Sequence, residues 1–154
     1  MSKNKETSNI SKPDPPSGGQ GGFKRKRIAI VGVGLIGGSL AIQLHEKKLS
    51  SKLIGVDAND EHARQAVELE LVDEVTSLDD AIVQSDVIIL AIPVDVLVEL
   101  LPTVMDKIEN QIVLDLGSTK SHSIAAIKNH PKRGRYVATH PMWGTEYSGP
   151  SAAM

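Results

Sequence analysis

The sequence predicts an α/β fold built on a doubly wound, mostly parallel sheet, and two observations support this prediction. Short runs rich in Ile and Val alternate with segments of helical periodicity along most of the 154 residues. Two of these runs, at 86–93 and 111–116, are almost continuously apolar, which is typical of strands buried between two layers of helices. Strands and helices that alternate in this way form a parallel sheet covered on both faces.

The first unit is a strand, a glycine turn and a helix. The apolar residues 28–31 end at Gly32, and the pattern Gly32-x-Gly34-x-x-Gly37 leads into a helix-forming segment. The first glycine allows a sharp turn, the second leaves space for a pyrophosphate beside the backbone, and the third lets the helix pack closely on the sheet. The phosphates would lie at the helix N-terminus, where main-chain N–H groups lack partners. This unit predicts dinucleotide binding.

The second strand, 52–57, ends in an acid, Asp57, twenty residues after Gly37. A carboxylate at this position hydrogen-bonds the ribose hydroxyls and would repel a 2′-phosphate. The next residues, Ala58 and Asn59, provide no arginine to receive such a phosphate. The sequence therefore predicts NAD in preference to NADP. The alternative, that Asp57 only caps the following helix, does not explain the spacing.

The remaining elements follow from the periodicity of the apolar residues. Helices are predicted at 59–70, in a short segment through 81–83, at 94–105 and at 119–129, and strands at 71–75, 86–93, 111–116 and 135–139. Pro102 predicts a break or a kink near the end of its helix. Ligands of such sheets bind beyond the carboxyl ends of the strands. The candidate loops are therefore those at Gly32, after Ile92, at Gly117 and from His140.

Composition and charge argue against several classes of protein. The chain contains no cysteine, which excludes a disulfide framework. Seven of the 17 basic residues but two of the 19 acidic ones lie at or before Arg27, so the body is acidic and unlike a nucleic-acid surface. Neither a membrane-spanning run nor a signal peptide is recognisable, and we expect a soluble cytoplasmic protein. Residues 1–23 are predicted to be a disordered tail and residues 24–154 one domain.

His140 is the strongest candidate for chemistry outside the glycine loop. It lies at the carboxyl end of the last predicted strand, where a substrate would meet the nicotinamide, and histidine suits proton transfer near neutral pH. A histidine that only makes hydrogen bonds within a loop is the ordinary alternative. The other histidines lie on or beside predicted helices and lack metal-ligand spacing, and the ordinary interpretation is assigned to them: His45, His62 (expected to face solvent), His122 and His130.

Four segments in this order resemble the prephenate dehydrogenase family, including its relatives that use arogenate. They are Ile-Val-Gly-Val-Gly-Leu-Ile-Gly-Gly-Ser-Leu (30–40), Leu-Ala-Ile-Pro-Val (90–94), Asp-Leu-Gly-Ser-Thr-Lys (115–120) and His-Pro-Met-Trp-Gly-Thr-Glu-Tyr-Ser-Gly (140–149). The two later segments are far more specific to this family than the glycine loop is. The resemblance implies a Rossmann-like NAD-binding domain.

The resemblance also implies a reaction, the NAD-dependent oxidative decarboxylation of prephenate to 4-hydroxyphenylpyruvate in tyrosine biosynthesis. His140 would accept the proton of the ring hydroxyl as hydride leaves the same carbon, and Ser118 would contact that hydroxyl. Thr145 and Glu146 would line the entrance, with Glu146 in a gating network. No metal is required. The ordinary alternatives are a helix cap for Ser118 and a solvated loop carboxylate for Glu146.

The predicted site residues fall into three groups that share members. The predicted catalytic residues are His140, Ser118 and Glu146. The predicted substrate residues are Ser118, His140 and Thr145. The predicted cofactor-binding residues are Gly32, Gly34, Leu35, Ile36, Gly37, Asp57, Ile92, Pro93 and Ser118.

The chain departs from the family pattern in two ways. Trp143 stands where the family often has alanine. Members of the family continue into a helical domain that forms a homodimer and supplies arginine for the substrate carboxylates, and we expect that domain to be absent from this chain, which ends at Met154. The chain alone is then expected to bind NAD weakly and to be inactive. The alternatives are an arogenate dehydrogenase, another β-hydroxyacid-type dehydrogenase, or a catalytically silent NAD-binding module.

Overall fold

A computed structural model describes residues 24–141, so the predictions for 1–23 and 142–154 lie outside the described residues. The strands are β1 Lys26–Val31, β2 Ser50–Val56, β3 Glu74–Val75, β4 Val87–Leu90, β5 Ile112–Asp115 and β6 Tyr136–Ala138. The α-helices are α1 Leu35–Glu46, α2 Asp60–Glu68, α3 Leu78–Gln84, α4 Val94–Lys107 and α5 Ser121–Ala126, and a single 3₁₀ turn at Arg133–Arg135 precedes β6.

The six strands form one sheet in the order β3-β2-β1-β4-β5-β6, and every described neighbouring pair is parallel. The chain leaves β1 toward one edge through β2 and β3, then crosses back to place β4 on the other side of β1. The point where the strand order reverses lies between β1 and β4, and such a point opens a crevice at the carboxyl ends of the strands. The predicted doubly wound parallel sheet is confirmed.

The side chains of β1 alternate between two hydrophobic clusters, one on each face of the sheet. Ala29 and Val31 belong to the cluster that contains the buried residues of α3 and α4. Ile28 and Ile30 belong to the cluster that contains Ala41 of α1 and the buried side of α2. Because helices cover both faces, the strands near the switch point are apolar on each side, as the sequence indicated.

Helix α4 runs without interruption past Pro102 to Lys107, so the predicted break is wrong. Its buried stripe consists of Leu97, Leu101, Val104 and Met105, each with no exposed surface. Positions separated by four, three and one residues lie on one side of a helix. The stripe spans both sides of the proline, and its packing holds the helix together where the proline removes one main-chain hydrogen bond.

Several predicted boundaries also differ from the structure. Helix α2 ends at Glu68 because Glu70 adopts a φ of +53°, a left-handed conformation that cannot continue a helix. Strand β3 begins only at Glu74, since the main-chain N–H groups of Leu71 and Val72 both donate to Ala66 at the end of α2. Helix α5 spans Ser121–Ala126 instead of 119–129. None of the helices in residues 24–141 is long and apolar enough to cross a membrane.

Candidate functional site

A cleft of about 900 Å³ opens at the carboxyl ends of the strands around the switch point. It is lined by nine of the residues predicted from the sequence: Gly32, Gly34, Leu35, Ile36, Asp57, Ile92, Pro93, Ser118 and His140. Most of the remaining lining is aliphatic, and it includes Leu78 and Leu100 from the helices of the α3–α5 layer. The loops after β1, β2, β4, β5 and β6 therefore meet at one site.

The first and third glycines of the loop are required by close packing. Gly32 has a φ of +91°, and a Cβ added there would lie 2.4 Å from the carbonyl oxygen of Ala91. A Cβ added to Gly37 would lie 1.9 Å from the carbonyl oxygen of Gly32. Gly37 is buried and does not line the cleft. Its position explains how α1 approaches the strand so closely, as predicted, and gives it no direct contact with a ligand in this cleft.

Gly34 differs from its two neighbours because it has open space around it. It lines the cleft, and a Cβ added there would meet no atom within 4 Å. It is the residue preceding α1, and no side chain of the described residues caps this helix. The first N–H groups of α1 have no acceptor within the helix, and such a terminus favours an anionic group. The loop thus fits the pyrophosphate of a dinucleotide.

Asp57, directly after β2, joins the glycine loop to the start of α2. One carboxylate oxygen accepts from the main-chain N–H of Val33 at 2.9 Å, and the other accepts from the N–H of Asn59 at 2.9 Å. Each oxygen has a second lone pair that can accept from a ribose hydroxyl. Asn59 itself caps α2 by accepting from the N–H groups of Glu61 and His62. The alternative that Asp57 is the helix cap is therefore wrong.

His62 lies beside Asp57 and borders the cleft with a partly exposed side chain, a position that the expectation of a solvent-facing residue did not include. Its Nδ1 is 3.9 Å from a carboxylate oxygen of Asp57, its side chain is 36% exposed, and it lines the cleft. It belongs to the first turn of α2, and this end of the helix lies nearest the cleft. The signal in the sequence was its distance of five residues from Asp57, which the amphipathic pattern of the helix did not reveal.

Ser118 and His140 follow the ends of β5 and β6, and both line the cleft with exposed side chains. Lys120 is the residue that precedes α5, so Ser118 lies outside the capping position and the cap alternative is wrong. His130, in contrast, contacts Asp106 at 3.0 Å and accepts from the N–H of Lys132 at 3.1 Å, in keeping with its ordinary interpretation. Thr145, Glu146 and Trp143 lie outside the described residues.

A buried carboxylate, Asp115, lies beneath this end of the cleft and was missed in the sequence. Its side chain has no exposed surface. It accepts hydrogen bonds from residues that follow β5 and from residues in and directly after β6. One donor is the hydroxyl of Tyr136 at 2.9 Å. Burial is the main cause that raises the pKa of Tyr136 to about 12, so this hydroxyl keeps its proton at neutral pH. The separation of 21 positions between the two residues conceals the contact in the sequence.

The sheet order, the glycine turn, the uncapped start of α1 and the acid after β2 together define a Rossmann-type nucleotide-binding domain. The family described as "Prephenate dehydrogenase, nucleotide-binding domain" matches residues 40–154, a range that begins just after the glycine loop. The chain belongs to this family.

Relatives and solved structures agree with the family match. The chain is 35% identical over 130 residues to the prephenate dehydrogenase of Bacillus subtilis, covering 82% of the chain and 35% of the relative. It is 30% identical to the cyclohexadienyl dehydrogenase of Zymomonas mobilis, covering 82% of the chain and 44% of that relative. The structure of Aquifex aeolicus prephenate dehydrogenase with hydroxyphenyl propionate and NAD+ matches with a TM-score of 0.74 and 32% identity. The match covers 84% of the chain and 46% of the Aquifex protein. The chain thus spans less than half the length of these relatives.

Proposed function

We propose that this chain is the NAD-binding part of a prephenate dehydrogenase and that it carries the catalytic histidine of that enzyme. The observation that supports this proposal best is that Asp57 and His140 line one cleft from opposite sides of the switch point. A dinucleotide has an adenosine ribose at one end and a reactive ring at the other. The cleft offers an acid for the first and a histidine for the second.

Different groups of the chain would bind different parts of the cofactor. The carboxylate of Asp57 accepts from the ribose hydroxyls, and the N–H groups at the start of α1 hold the pyrophosphate beside Gly34. Ile92 and Pro93, which follow β4 and line the cleft, would offer the cofactor an apolar surface. NAD bound in this way supplies the hydride acceptor.

His140 and Ser118 would act on the ring hydroxyl of the substrate. His140 takes the hydroxyl proton as hydride leaves the same ring carbon, and Ser118 holds the hydroxyl in line with the imidazole. The ring carboxylate then departs as carbon dioxide, and its bonding electron pair enters the ring. His140 returns the proton to the phenolate oxygen, so no net proton is released. A positioned base of this kind contributes about 10²- to 10⁴-fold in rate.

The choice of prephenate as substrate rests on the similarity to relatives with that name, and arogenate is the alternative. The two differ at the side chain, where prephenate has a keto group and arogenate an amino group. Both carry two carboxylates, which require cationic partners, and no described residue that lines the cleft is Lys or Arg. The cations would therefore come from residues that do not belong to the described lining of this cleft. The cytoplasmic location and the homodimer stay predictions from the sequence.

Nuclear magnetic resonance on the isotope-labelled chain tests the proposal in two steps. NAD is added first, and we expect the amide signals of Gly34 and Val33 and the side-chain signals of Asp57 to shift. The phenol analogue 4-hydroxyphenylpropionate is then added to the NAD-saturated chain. We expect it to shift the imidazole signals of His140 and the amide signal of Ser118, because its hydroxyl mimics the reacting oxygen.

A His140→Asn variant provides the control for the second step. It keeps a polar side chain of similar size at the site, and we expect unchanged NAD shifts with loss of the response of Ser118 to the analogue. His130→Asn is the matched substitution, since His130 pairs with Asp106 away from the cleft. An analogue that shifts neither His140 nor Ser118 in the NAD-bound chain would contradict the role given to these two residues.

A further inference from the structure

We propose that Asp115 is a positioning residue whose buried carboxylate fixes the Ser118 loop and the end of β6 before His140 relative to each other. The Ser118 loop here means residues 117–120. The inference rests on the proposed function, because it assigns Asp115 a role in arranging the two residues that would hold the ring hydroxyl. Asp115 itself does not line the cleft, so it would act through the main chain on either side of it.

One oxygen of the carboxylate, Oδ2, holds the Ser118 loop from both ends. It accepts from the main-chain N–H of Gly117 at 3.3 Å and forms an ion pair with the ammonium group of Lys120. These two residues enclose Ser118 and Thr119 in the chain. A four-residue loop tied at its first and last residues to one buried group has little freedom to move away from the cleft.

The other oxygen, Oδ1, holds the end of β6. It accepts from the hydroxyl of Tyr136 at 2.9 Å and from the main-chain N–H of Thr139 at 3.3 Å. Tyr136 is the first residue of β6, and Thr139 directly precedes His140. The same N–H also donates to the main-chain oxygen of Asp115 at 3.2 Å. The carboxylate therefore reaches the last residue before the proposed base.

This connection lies at the end of the strand pairing. The pairing of β5 with β6 ends at Asp115 and Ala138, whereas Ser118 and His140 follow these residues in the chain. Just beyond the last strand pair, the main-chain oxygen of Asp115 accepts from the N–H and the hydroxyl of Thr139. The Asp115 side chain adds hydrogen bonds that tie the loop after β5 to the same residue. A fully buried carboxylate is costly unless its oxygens are satisfied. Four donors meet the roughly four acceptor positions of a carboxylate.

Amide hydrogen exchange in the chain tests this proposal without any ligand. In an Asp115→Asn variant one oxygen becomes an NH₂ group and the partner charge of Lys120 is lost. We expect exchange at Gly117–Lys120 and at His140 to rise at least tenfold relative to the amides of β1 and β2. Exchange at Thr139 should rise less, because its N–H keeps the main-chain oxygen of Asp115 as an acceptor. Global destabilisation would raise exchange throughout the sheet instead, so the ratio isolates the local effect.

Asp86→Asn is the matched control. Asp86 lies at the opposite end of the sheet, just before β4, where it accepts from the N–H of Arg27 at 2.8 Å and pairs with its guanidinium at 3.6 Å. We expect this substitution to leave the ratio of exchange between residues 117–120 and 139–140 and the amides of β2 unchanged. If Asp115→Asn does not fold, Tyr136→Phe removes one donor from the Oδ1 side. Faster exchange both at residues 117–120 and at residues 139–140 of that variant supports the proposal.

A second measurement connects the exchange result to the proposed chemistry. In the NAD-saturated Asp115→Asn chain, we expect affinity for 4-hydroxyphenylpropionate to fall at least fivefold while affinity for NAD changes less than threefold, since Asp57 and the glycine loop are untouched. Two results would overturn the positioning role. One is faster exchange confined to only one of the segments 117–120 and 139–140, and the other is unchanged analogue binding in the variant. Failure of the wild-type chain to bind NAD would instead contradict the proposed function, and the exchange result would stand separately.

Discussion

The carboxylate of Asp57 accepts a hydrogen bond from the main-chain N–H of Val33, at 2.9 Å, between the first two glycines of the loop. The acid after β2 therefore shapes the glycine loop directly and also faces the cleft in which a ribose would lie. Loss of this side chain would be expected to affect both the shape of the loop and the binding of the ribose.

An Asp57→Asn substitution separates these two effects. The amide keeps one oxygen that can accept from Val33 and loses the oxygen that accepts from Asn59, so we expect the midpoint of thermal unfolding to fall only modestly. A hydrogen bond to a charged group contributes about 1.5–3 kcal/mol, and each 1.4 kcal/mol is tenfold in affinity. We therefore expect NAD affinity, measured by calorimetry, to fall roughly tenfold or more. Asp60→Asn, an exposed position outside the cleft, should leave it unchanged.

His62 offers a route to altered cofactor preference. Its Nδ1 lies 3.9 Å from Asp57, near the place where the 2′-phosphate of NADP would project. Arginine recognises phosphate with a bidentate, permanently charged group. We expect His62→Arg combined with Asp57→Asn to raise NADP affinity at least tenfold over the single Asp57→Asn variant. Equal NADP affinity in both variants, measured by competition, would show that the ribose end does not lie beside α2.

The first two glycines of the loop should respond differently to alanine. Gly34→Ala is expected to keep the stability of the chain and to lose most of its NAD affinity, since the new methyl group enters open space in the cleft. Gly32→Ala is expected to destabilise the fold by more than 1 kcal/mol, because of its positive φ and its contact with Ala91. Chemical denaturation and calorimetry give the two quantities.

Gly134→Ala is the control for the Gly34 substitution. A Cβ at Gly134 also meets no atom within 4 Å, and this residue lies in the turn before β6, away from the cleft. We expect unchanged stability and unchanged NAD affinity. If Gly34→Ala bound NAD as well as Gly134→Ala does, the pyrophosphate could not lie at the start of α1.

Features of the fold that are local in the chain could be predicted from the sequence. The glycine spacing and Asp57 were identified because each belongs to one strand, turn and helix unit, and the apolar runs identified the buried strands. Glu70 stops α2 through its backbone conformation, which the residue type does not reveal. Pro102 did not break α4 because the buried stripe on both sides outweighed one lost hydrogen bond.

Contacts that join distant parts of the chain could not be predicted in this way. The network of Asp115 brings together residues of two strands and two loops, and no local pattern marks it. His62 was assigned to solvent because helical periodicity describes the faces of a helix and not what lies beyond its end. The parallel pairing of the strands brings their carboxyl ends together, and this places Asp115 and His62 near the cleft.

Tyr136 should make the stability of the chain depend on pH in alkaline solution. Burial raises its pKa from 10.0 to about 12, so between these values the unfolded chain loses the phenol proton while the folded chain keeps it. The free energy of unfolding is then expected to fall as pH rises from about 10 to about 12, and this contribution is fully present below pH 10.

A Tyr136→Phe variant isolates that contribution. It removes a hydrogen bond to the carboxylate of Asp115, and we expect a loss of about 1–3 kcal/mol at neutral pH. The difference in unfolding free energy between wild type and variant should shrink from pH 10 to 12, because only the wild type has the phenol group. A constant difference across this range, measured by denaturant titration, would contradict the assignment of the shift to Tyr136.

Calorimetric titration of the wild-type chain, with NAD and separately with NADP, is the direct test of the assignment of this cleft. We expect saturable binding of one NAD per chain, with NADP at least tenfold weaker because Asp57 opposes the 2′-phosphate. Absence of NAD binding by the folded chain, or equal affinity for the two cofactors, would contradict the assignment of this cleft as an NAD site.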